Sequence, residues 1–102
     1  MKDVKLNHAL ELYFDETAEK QSREYFEAEK YLKMRIRPAM EMLIQLEDTE
    51  KMEVLENNGW FGEKELESFI KTAQEKDKPR SLIWLLHLKN RKYGYRDKDF
   101  TL

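Results

Sequence analysis

The chain has 102 residues, a net charge of −2 with 39% of its residues charged and 40% hydrophobic, and no cysteine. That length is the size of one domain and leaves no room for a second core, while the missing cysteine removes disulfides, thiolate metal sites and cysteine nucleophiles together and fits a reducing, cytoplasmic setting. The charged start Met1-Lys2-Asp3-Val4-Lys5 has no apolar h-region after it, and no stretch approaches the roughly 18 apolar residues of a membrane span, so neither a signal peptide nor membrane insertion is expected.

A composition rich in Glu, Lys, Leu and Met, with three glycines and two prolines, favours helices. Leu6, Ala9, Leu10 and Tyr13 share one face of a short helix within 1–14. Asp15 or Thr17 is placed to cap a long, strongly charged helix over 16–36, with Ala18, Tyr25, Ala28, Leu32 and Ile36 as its stripe and Phe26 and Tyr31 widening it. Pro38 is expected to break that helix by pushing Arg37 out of the α region, and then to open the next one. There Ala39, Met40, Leu43 and Leu46 mark the buried face, with Met42 and Ile44 on the flanks. Asp48 or Thr49 caps a short fourth helix that turns Met52 and Leu55 inward. Asn58-Gly59 supplies the left-handed residue that ends it, and Trp60 falls where a Schellman-type apolar contact belongs.

The last two helices carry the clearest periodicity. Leu66, Phe69, Ile70 and Ala73 fall at i, i+3, i+4 and i+7, and Glu63, Glu65 and Glu67 cluster where the helix dipole favours anions. After a break at Asp77-Lys78-Pro79, the run Leu82 to Leu88 is apolar almost all round. That pattern reads as a central helix with Trp84, Leu85 and Leu86 in the core. Its basic end, Lys89 to Lys92, suits a helix C-terminus, and Gly94 stops it, leaving a tail over 93–102. No strand-like alternation appears. The fold class is therefore all-α, a compact five- to six-helix orthogonal or bundle domain, with 38–92 as its helical core.

From about Asp48 to Arg91 the order is short helix, Asn-Gly turn, helix ending in Ala, tight loop, and helix with a Leu-Leu pair. With Leu66, Ile70 and Ala73, then Leu82, Ile83, Leu85 and Leu86, this resembles an ankyrin-type repeat, and the ankyrin-like helical modules of many uncharacterised bacterial proteins. Glu63-Lys64-Glu65-Leu66 stands where such a repeat has Thr-Pro-Leu-His, and one copy is evident. The resemblance implies protein binding rather than catalysis.

The side-chain chemistry points the same way. His8 and His87 lack metal-site spacing, no serine sits in a Gly-x-Ser-x-Gly elbow, and three scattered glycines build no phosphate loop. The acids read as a solvated face. No catalytic residue, cofactor or metal is expected. Lys89-Asn90-Arg91-Lys92-Tyr93-Gly94-Tyr95-Arg96 interleaves cations with aromatics, a combination that grips phosphates and stacks bases or, alternatively, only caps a helix. Trp60 and Phe61 are residue types of interface anchors, or a lid on the core. Phe100-Thr101-Leu102 has the form of a peptide terminus that PDZ domains capture.

Charge is unevenly spread. From Pro38 to Glu67 nine acids face Lys51 and Lys64, a balance of −7; from Asp77 to Lys98 seven bases face Asp77 and Asp97, a balance of +5. Opposed blocks can steer a charged partner or a second copy in a homodimer. The leading reading is a small protein–protein interaction or accessory module without catalytic activity, its surface drawn from Trp60, Phe61, Lys89, Arg91, Lys92, Tyr93, Tyr95 and Arg96. Two alternatives stay open: a nucleic-acid-binding regulator using the basic-aromatic segment, and an acidic inhibitor whose middle mimics a phosphate backbone.

Overall fold

A computed structural model describes residues 4–94. The chain is all-α, and among the described residues there is no strand. Its helices are α1 (Val4–Tyr13), α2 (Arg23–Met34), α3 (Ile36–Leu46), α4 (Thr49–Asn57), α5 (Glu63–Glu75) and α6 (Pro79–Tyr93). The described residues fall into two compact units, 4–39 and 40–94. None of the described helices is long and apolar enough to cross a membrane.

In the first unit α1 buries Leu6, Ala9, Leu10 and Tyr13, as their spacing predicts. The long helix expected over 16–36 is shorter at its start. Asp15 does not cap it; its carboxylate accepts the Thr17 N–H at 2.9 Å and hydroxyl at 2.7 Å. Such a local bond competes with helical pairing, and the chain turns twice more, with Ala18 N–H to Asp15 O and Ser22 N–H to Glu19 O. The Thr17 hydroxyl and N–H also hold the exposed Asp15 carboxyl below its usual range. Ser22 is the true N-cap of α2, accepting the Tyr25 N–H at 3.2 Å, and Tyr25 stacks on Tyr13 with centroids 5.2 Å apart. Behind that stack α2 buries Ala28 and Leu32.

The break after α2 lies at Arg35, not at Arg37-Pro38. Arg35 (φ −118°, ψ 45°) returns its N–H to Tyr31 and Leu32, and α3 has already begun at Ile36. Pro38 sits inside the first turn of α3, where a missing N–H leaves no bond unmade. The buried arc of α3 is Ala39, Met40, Leu43 and Ile44, while Leu46 is 65% exposed. Ile44 and Leu46 thus exchange the places their sequence pattern suggests, because Leu46 lies about 90° round from the centre of that arc at 100° per residue.

The second unit is built on three sharp helix ends of one design. Asp48 N–H returns to Leu43 O and Glu47 N–H to Ile44 O, with Glu47 at φ 56°; Lys78 N–H returns to Ala73 O and Asp77 N–H to Gln74 O, with Asp77 at φ 57°. Gly59, at φ 75°, ends α4 in the same way, with Trp60 N–H on Leu55 O. These are Schellman ends, two of which place a non-glycine in the left-handed region. Asp48 caps α4 as expected, accepting the Lys51 N–H. At the start of α5 the Glu65 carboxylate accepts the Gly62 N–H at 3.0 Å. α5 buries Leu66, Phe69, Ile70 and Ala73.

The start of α6 is capped from a distance. Lys78 provides no side-chain cap; instead the Glu47 carboxylate accepts the Arg80 N–H at 2.7 Å and the Ser81 N–H at 3.4 Å. The fully buried Ser81 hydroxyl donates to Ile44 O at 2.8 Å. Glu47→Ala should cost about 1–2 kcal/mol by removing a charged cap at a dipole N-terminus, whereas Asp77→Gly should add up to about 1 kcal/mol by relieving its φ. Glu47→Gly relieves the same kind of backbone yet should still lower stability. Urea unfolding midpoints of the three variants order them; a Glu47→Gly variant stabilised as much as Asp77→Gly would show that the cap contributes nothing.

Candidate interaction surface

The candidate surface of the sequence lies at the basic end of α6 and at the turn before α5. α6 packs on α5 and α4, and these cover one side of it. Ser81, Leu85 and Leu88 are buried. Trp84 and Leu86, expected in the core beside Leu85, are half-buried, as is Leu82, and Ile83 is 55% exposed. An apolar helix is thus left with a partly open flank, Ile83 exposed between half-buried Leu82 and Leu86. The sequence pattern gives no warning of it, because apolar residues on every side of a helix imply burial on every side.

Phe61 is a core residue: it is buried and meets Phe69 edge to face, with centroids 5.2 Å apart. Trp60 is half-buried over the turn. Of the two, only Trp60 offers surface to a partner.

Two cations of α6 pair with acids of the same unit. Lys89 pairs with Glu67 on α5 at 3.0 Å, and Lys92 pairs with Glu56 on α4. Glu56 is 6% exposed, a buried carboxylate whose charge needs that partner. Its hydrogen bond holds the Lys92 ammonium above the usual lysine range. Arg91 is exposed and Tyr93 half-buried; Arg91 and Lys92 line a shallow polar notch with Glu56, Asn57 and Gly59. Tyr95 and Arg96, with the Phe100-Thr101-Leu102 terminus, lie outside the described residues.

In the first unit a groove of about 230 Å³ runs between α1 and α2, with His8 and Tyr31 on its walls. Tyr31 also lies beneath Lys5 and Arg35, at 5.8 and 4.4 Å from its centroid. Among the described residues no three His, Cys, Asp or Glu side chains are grouped to hold a metal. The Ser22 and Ser81 hydroxyls are occupied by a helix cap and a backbone carbonyl.

Lys92→Met should destabilise the protein by about 1–3 kcal/mol, because it leaves Glu56 without its cation. A raised lysine pKa contributes stability that is whole below the unfolded value and is lost as pH rises through the folded one. The difference between the wild type and Lys92→Met should therefore hold steady across neutral pH and shrink only above the usual lysine range. Thermal melts across that range test this, and a difference that shrinks already below pH 9 would place its origin elsewhere.

No family model matches the chain, and no curated protein or solved structure matches it at a significant level.

Proposed function

We propose that the protein is an interaction module without catalytic activity, working in the cytoplasm, which presents the open flank of α6 to a protein partner. The observation that carries this is the mismatch in α6: residues apolar on all sides, covered on one. Exposed Ile83 and half-buried Leu82 and Leu86, with half-buried Trp84 and Tyr93 on the same helix, supply the apolar and aromatic side chains from which interface cores are made. Exposed Arg91 adds a polar rim. An ankyrin-like reading of α5–α6 agrees, since in such arrays each helix pair buries its face against the next.

The two alternatives lose ground to the ion pairs. A nucleic-acid surface would draw on Lys89 and Lys92, and both are matched by acids of the same unit. A phosphate mimic would need the acids of the middle segment free. Glu47 caps α6, Asp48 caps α4, Glu56 is buried, Glu65 holds the Gly62 N–H and Glu67 pairs with Lys89.

Ile83→Lys changes an exposed position, so the fold should survive it, and it should weaken capture of a native partner by at least about tenfold, in line with loss of an apolar anchor. The measurement is quantitative pull-down with wild type and variant, beside light scattering for a second copy as the occupant. Unchanged capture and mass would end this assignment. Arg91→Glu tests nucleic acid without disturbing a pair: binding whose logarithm falls linearly with the logarithm of salt, and which this variant abolishes, would favour that alternative.

A further inference from the structure

A second surface lies on α2, in the other unit. Ala28 and Leu32 are buried and Tyr25 half-buried, which fixes the inner face of this helix. Opposite them Arg23, Phe26, Lys30 and Lys33 recur at i, i+3, i+7 and i+10, with Met34 alongside, and all five are exposed. Phe26 is 61% and Met34 70% exposed. At 1.5 Å per residue the two apolar side chains stand about 12 Å apart along the axis, with Lys30 between them. At 100° per residue the five span about 100°, bordered by Glu27 on one side and Glu29 on the other.

We propose that this strip docks an acidic amphipathic helix of a partner protein. The apolar pair, about two turns apart on one face, can pack against the apolar seam of a second helix, and the three cations call for carboxylates on the occupant. Width decides between occupants. A nucleic acid or an anionic membrane is negative across a broad front and would press against Glu24, Glu27 and Glu29 as well as the cations. A single helix, acidic along its seam and basic at its edges, meets both the cationic strip and its acidic borders. The proposal is independent of the α6 flank and stands or falls without it.

The probe is a pair of labelled helical peptides of about three heptads, long enough to hold a helix. One has Leu at its seam, Glu beside the seam and Lys at the edges; its twin has Glu and Lys exchanged. By fluorescence anisotropy the acidic-seam peptide should bind at least about tenfold more tightly than the twin. Phe26→Ser and, separately, Met34→Ser should each reduce that binding at least about fivefold, and Lys30→Glu with Lys33→Glu should reverse the preference. Circular dichroism shows that each variant is folded, and having two apolar variants keeps the test alive if one is not. Ile83→Lys should leave peptide binding unchanged. Equal binding of the two peptides, a preference that survives the charge reversal, or tighter binding of single-stranded DNA or phosphatidylserine vesicles through these same residues would overturn the proposal.

Discussion

The Glu47 carboxylate at the start of α6 is the contact on which the second unit depends. α6 opens with Pro79 after an N-cap lysine that offers no acceptor, so two of its first N–H groups have no local partner. A residue far back in sequence supplies it. Ser81 completes the joint by donating to Ile44 O, so the end of α3 and the beginning of α6 satisfy each other's unpaired backbone groups. With that start fixed, Leu85 and Leu88 are carried into the core further along the helix. The same registration brings Lys89 and Lys92 to Glu67 and Glu56.

Helix content and buried faces were legible wherever a periodic stripe met a standard stop. α1, α4 and α5 follow directly from Leu6 to Tyr13, from Asp48 and Asn58-Gly59, and from Leu66 to Ala73. At the start of α2 the expectation fails through competition among several residues able to do the same job. Asp15, Thr17 and Ser22 are all good caps. Ser22 prevails because Asp15 is occupied with Thr17 and because starting there stacks Tyr25 on Tyr13. The break at Arg35 has no sequence mark at all, since nothing about arginine announces a helix end and the nearby proline draws attention to itself.

The candidate surface was legible in its residue types but not in their engagement. A count of charges along the chain finds an acidic block and a basic block. It does not reveal that Lys89 and Lys92 tie α6 to Glu67 on α5 and Glu56 on α4. The α2 strip was hidden for a different reason. Phe26 is an aromatic close in sequence to the inner stripe, yet the phase set by Ala28 and Leu32 puts it on the outside.

The long-range cap also gives the unit a direction in time. A ribosome releases Glu47 well before Pro79, so the acceptor and the Schellman turn that aims it precede the donors they serve. When α6 emerges, the carboxylate that caps its start is already present, which favours the nucleation step that isolated helices of this length find costly. A circular permutant opened between α4 and α5 would invert that order, making α6 wait, uncapped, for a carboxylate not yet synthesised.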